Sequence, residues 1–120
     1  DDVARLTELL DSDPQVADTL SADGWSPLHL AAFFGAHRAA ALLLARGASH
    51  QLLSTNYMAN TPLHAALAAK CLPLTELLLG AGADPAISAT GFTPLAIAEG
   101  NGFEAGAALI RAALHQRGSM

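Results

Sequence analysis

Apolar residues recur along the chain at three- and four-residue steps: Leu6/Leu9/Leu10, Ala39/Leu42/Leu43, Leu74/Leu77/Leu78 and Gly106/Leu109/Ile110. This is the period of one face of an α-helix, so one stripe is written four times and predicts four short amphipathic helices. The punctuation between the stripes also repeats. "SPLHLAA" at Ser26 returns as "TPLHAAL" at Thr61 and as "TPLAIAE" at Thr93, 35 and 32 residues apart. Ser26, Thr61 and Thr93 suit an N-cap, with Pro27, Pro62 and Pro94 at the first helical position, where a missing N–H costs nothing. "LLLARGAS" from Leu42 and "LLLGAGAD" from Leu77 place Gly47 and Gly82 twenty residues after the proline. Each glycine is expected to end the second helix in the left-handed conformation that Gly accepts cheaply.

The unit is therefore two short helices and a turn, and so small a pair buries its stripe only by stacking on further copies. The phrases "DGWSPLHLAAFFG", "LLLARGA", "NTPLHAAL", "LLLGAGADP" and "GFTPLAIAEGNG" resemble the ankyrin repeat family. The resemblance implies an all-α solenoid of stacked helix-turn-helix units with short β-hairpin loops. It forms one domain over 1–120, with a half repeat at 1–22 and full repeats at 23–57, 58–89 and 90–120. Residues 2–10 look like the second helix of a copy whose first helix is absent, so upstream repeats are expected. A monomer is expected too, with a dimer through the N-terminal end as the alternative. The abundance of alanine is similar to that of bacterial ankyrin proteins.

His29 raises the question of chemistry, because it stands alone among Leu, Ala and Phe. In the family that the chain resembles, this His is a strut bonded to the Ser/Thr hydroxyl and to nearby backbone. A neutral imidazole donates and accepts at once, which suits buried backbone groups in a turn between repeats. Ser26 with His29, and Thr61 with His64, are expected to act as structural turns. The third copy has Ala96 there, as expected of a terminal repeat with no following backbone to brace.

Two features depart from the pattern. Lys70 takes the place held by Gly35 and Gly102, and a Lys at positive φ costs roughly 1 kcal/mol relative to Gly, so an altered turn is expected in the middle repeat. The connection from Gly47 to Pro62 is three residues longer than that from Gly82 to Pro94. Leu52, Leu53, Tyr57 and Met58 make this longer finger apolar, either to fold back on the stack or to present a contact surface.

Composition narrows the function. The 120 residues are 52% hydrophobic and 14% charged, with a formal net charge of -5, which argues against nucleic-acid and anionic-membrane binding. The acidity is concentrated in residues 1–24, either as solvated Asp at caps and turns or as an acidic end that would steer a basic partner. Cys71 is the single cysteine, which fits a reducing compartment and a cytoplasmic location. The chain starts at Asp1, so removal of upstream sequence is expected. "GNGFEAG" looks like a dinucleotide turn but lacks the strand before it and the acidic residue about 20 positions later. Neither a metal-ligand spacing nor a nucleophile elbow is present, so no cofactor, metal or catalytic residue is expected.

The resemblance implies binding of an unidentified protein through the finger tips and the concave face of the first helices. The matching residues are Trp25, Phe33, Phe34, Tyr57, Met58, Asn60, Ala68, Ala69, Thr90, Phe92 and Asn101, with Leu52 and Leu53 in the long finger. Five of the six aromatics fall in this strip, either as partner anchors or as packing over the turns. A non-catalytic interaction module is the expectation. The alternative is a structural spacer within a longer array.

Overall fold

The computed structural model describes residues 4–13, 20, 24–48, 61–86 and 92–118. These contain seven helices: α1 (Ala4–Ser12), α2 (Pro27–Phe34), α3 (His37–Ala45), α4 (Pro62–Ala68), α5 (Leu72–Gly80), α6 (Pro94–Gly100) and α7 (Glu104–Gly118). The expected hairpin fingers, with Leu52, Leu53, Tyr57, Met58, Asn60 and Thr90, lie outside the described residues.

The first helices start as their sequence dictates. Ser26, Thr61 and Thr93 take extended backbone, and each side-chain oxygen accepts the amide N–H three residues on, from His29, His64 and Ala96. One otherwise unpaired helix-terminal donor is thereby satisfied, and proline follows where no donor is needed. The second helices stop at Gly47 and Gly82, with φ 89° and 102°. Past each glycine, the Ala48 and Ala83 amides return to the carbonyls of Leu43 and Leu78 at 2.9 and 3.0 Å. The last helical carbonyls are closed in this way without side chains.

Two layers result. The first helices form one, α2 against α4 and α4 against α6; the second helices form the other, α3 against α5 and α5 against α7. Within a unit α2 packs on α3, α4 on α5 and α6 on α7. The core runs continuously between the layers through Leu10, Leu28, Leu43, Leu63, Leu67, Leu74, Leu78 and Ile110, all fully buried. Alanines at 31, 32, 40, 66, 98 and 107 let the helices approach closely. Burying each large aliphatic side chain contributes about 2 kcal/mol before entropy is counted.

Two expectations need correction. Leu9 does not share the buried stripe: it is 45% exposed, whereas Leu10 carries the core contact made by Leu43, Leu78 and Ile110 at the same register. Nor is the middle turn altered. Lys70 adopts φ 56°, beside 68° and 69° for Gly35 and Gly102. The backbone bond that closes the turn is the same in all three units: Ala36 to Ala31, Cys71 to Ala66 and Phe103 to Ala98, at 2.8, 3.0 and 2.8 Å. Stacking fixes the turn, and Lys70 takes the left-handed strain rather than changing it.

Gly106 has a packing reason. A Cβ there would collide with the Phe103 ring and lie 3.0 Å from Leu67. The close approach of Phe103 and Leu67 leaves no room for a side chain, and it accounts for a glycine in "GNGFEAG" without any phosphate.

Candidate functional site

His29 and His64 sit at the third position of α2 and α4, with 1% and 0% exposure. In the first unit Nδ1 lies 2.7 Å from Ser26 Oγ and 3.4 Å from the Ser26 amide, while Ser26 Oγ accepts the His29 amide at 3.2 Å. The second unit repeats this: Nδ1 is 2.6 Å from Thr61 Oγ1, and Thr61 Oγ1 accepts the His64 amide at 3.4 Å. His64 Nε2 then reaches the Phe92 carbonyl at 3.0 Å. A carbonyl only accepts, so Nε2 carries the proton and Nδ1 is the acceptor for the Thr61 hydroxyl and amide. Every polar atom of the ring is used. Burial holds the His64 pKa below the ordinary 6.5, opposed in part by the bond to Phe92. A neutral, fully engaged imidazole has no proton or lone pair left for substrate.

The box is an unusual form of helix cap, in which His replaces the Glu or Gln that normally returns to the N-cap amide. In the second unit the other nitrogen, His64 Nε2, extends the bond to Phe92 in the next unit. Thr93 keeps the cap without the box, because Ala96 stands in the His place and is exposed.

The other candidate residues lie on the first-helix face. Phe33 and Phe34 are 47% and 78% exposed at the end of α2, with ring centroids 6.0 Å apart in an edge-on arrangement. Leu30, one turn earlier on the same face, is 39% exposed. The sequence reading missed Leu30, although its three- and four-residue steps to Phe33 and Phe34 mark it. At the register of the two rings, α4 presents half-buried Ala68 and Ala69, and the last unit presents exposed Gly100 and Asn101. The face thus steps down from bulky to small along the stack.

Trp25 and Phe92 behave differently from each other. Trp25 is half-buried, with its indole 5.6 Å from the His29 ring, so much of it packs over the turn. Phe92, two residues before Pro94 as Trp25 is before Pro27, leaves 58% of its surface exposed. Its carbonyl serves the structure while its ring does not.

Two open grooves lie between the second helices. One, of about 860 Å³, separates α5 from α7 and has Asp84 as its sole ionisable lining side chain, which is engaged with the Ala86 amide at 2.9 Å. The other, of about 560 Å³, lies between α3 and α5 beside His37, Pro73 and Glu76. Neither places a nucleophile beside a base. Among the described residues no group of three His, Cys, Asp or Glu side chains could hold a metal ion, and no helix is long and apolar enough to cross a membrane. Cys71 is half-buried at the start of α5.

A family model described as ankyrin repeats (3 copies) matches residues 2–89, which is most of the chain but stops before α6 and α7. None of the curated proteins matches it.

Proposed function

Because the chain belongs to the ankyrin repeat family, whose members are generally protein-interaction modules and typically non-catalytic, we propose that it binds a partner protein through the first-helix face centred on Phe33 and Phe34. The observation that carries this reading is the pair of aromatic rings standing in solvent beside an alanine floor. A soluble surface gains nothing from such a pair, whereas large aromatic side chains are the usual anchors of a protein contact. By register the surface extends through Ala68 and Ala69 to Phe92 and Asn101, and the resemblance to the family adds Tyr57, Met58, Asn60 and Thr90, with Leu52 and Leu53, as further contact residues. Trp25 adds its exposed edge.

The module acts as a monomer in a reducing compartment such as the cytoplasm, where a half-buried lone thiol persists without a disulfide partner. It uses no cofactor and catalyses nothing. His64 ties its unit to the next through the Phe92 carbonyl, which helps to set the spacing of the binding face.

Affinity capture from the native cell extract, with the chain and with its Phe33→Ser/Phe34→Ser variant, tests the reading. Both proteins should show the same helical circular dichroism, since neither ring is in the core, and the variant should lose a specific partner. A variant that retains every partner of the parent would make this segment a spacer within a longer array.

A further inference from the structure

The net charge of -5 hides a local reversal. From Gly24 to Thr75 the chain contains no Asp or Glu, yet it carries Arg38, Arg46 and Lys70. Arg46 is taken up by Asp11 at 2.7 Å. Lys70 is exposed and makes no ion pair among the described residues. Its turn adjoins the one that follows the aromatic pair: a Cβ on Gly35, next to Phe34, would be 3.5 Å from Sγ of Cys71, next to Lys70. Lys70 also holds φ 56° where the other two units use glycine. A left-handed lysine is strained, and strain kept at an exposed position without a folding benefit points to use of the side chain.

Resting on the reading of this face as a binding surface, we propose that the partner is an acidic peptide segment. One bulky apolar side chain seats against Phe33 and Phe34 over the Ala68–Ala69 floor, and a neighbouring Asp or Glu meets the Lys70 ammonium. No carboxylate occurs from Gly24 to Thr75, the stretch that holds the rings, the alanine floor and Lys70, and those of the second unit, Glu76 and Asp84, follow on α5 and after it.

Selection of random dodecapeptides displayed on phage tests this, with counter-selection on the Phe33→Ser/Phe34→Ser variant. Peptides held by the parent and released by the variant should place Asp or Glu next to Trp, Phe or Leu. Resynthesised, such a peptide should bind Lys70→Gly about threefold more weakly at low salt, and Lys70→Glu more weakly still. Lys70→Gly should at the same time melt at a higher temperature, because glycine relieves the strained φ. Stability and affinity moving in opposite directions separates a binding lysine from a structural one. Neutral or basic peptides, or undiminished binding to Lys70→Gly, would overturn the acidic partner while leaving the binding face intact. If no peptide distinguishes the serine variant, the face itself is not a binding surface and both readings fall.

Discussion

Helices α4 and α6 begin with nearly the same words, Thr-Pro-Leu-His and Thr-Pro-Leu-Ala, and with nearly the same backbone at the cap, φ/ψ −89°/166° and −85°/161°. Their surroundings differ. All of Pro62 to Leu67 is buried, whereas in α6 only Pro94 and Ala98 are. Thr61 is buried and Thr93 exposed. Register positions tell the same story, for Leu67 at 0% exposure corresponds to Glu99, which lies in the open and pairs with Arg111 at 2.9 Å. A cap is thus a local device that works wherever its residues occur. The His box of α4 adds a contact between units, through His64 Nε2 and the Phe92 carbonyl.

Removing core volume should separate the two helices most. Leu67→Ala should cost about 4 kcal/mol in urea unfolding, because α2, α6 and α7 cannot close on the gap. Glu99→Ala should change stability by less than about 0.5 kcal/mol, since its ion pair is exposed.

The histidine comes next. His64→Ala should cost about 3 kcal/mol by leaving the Thr61 amide and the Phe92 carbonyl short of partners. The reciprocal change, Ala96→His, should stay within about 0.5 kcal/mol of the parent, as that position is exposed. An equal loss from both substitutions would show that the box acts within its own helix and not between units.

Acid should reproduce part of this loss. The folded pKa of His64 lies below 6.5, so the unfolded chain takes up the proton first on acidification. His64 therefore contributes its full stabilisation above about pH 6.5, and the contribution fades as pH falls from there through the lowered folded value. Unfolding midpoints measured across this window should decline in the parent and less steeply in His64→Ala.

The smallest contrast lies in the turns. Gly102→Lys should cost about 1 kcal/mol and Lys70→Gly should gain a similar amount, because both turns share one backbone geometry. Thermal melting of the two variants checks the sign of each.

Much of the fold was legible because its determinants are local or periodic. Ser26, Pro27, Gly47 and their equivalents each satisfy or omit a particular backbone group, and the leucine stripes carry the helical period. Lys70 misled because propensity describes a residue alone, while the turn it occupies is set by the helices on both sides. Leu9 misled because α3 and α5 each have a following second helix beside them and their equivalents of Leu9, Leu42 and Leu77, are half-buried, whereas Leu9 itself is exposed among the described residues. At the candidate site, the aromatics could be counted from sequence, but Trp25 and Phe34 could not be told apart. One lies against an imidazole and the other stands in water.

The amino-acid order by itself settled where helices start and stop, that they come in pairs, and which side chains brace the turns, since these depend on hydrogen bonds within a few residues. Tertiary packing alone decided which copies of an identical phrase are buried, that a lysine must take a glycine's conformation, and which rings remain uncovered. Burial is a property of the neighbours a segment meets in space, and the copies of a repeated sequence meet different neighbours.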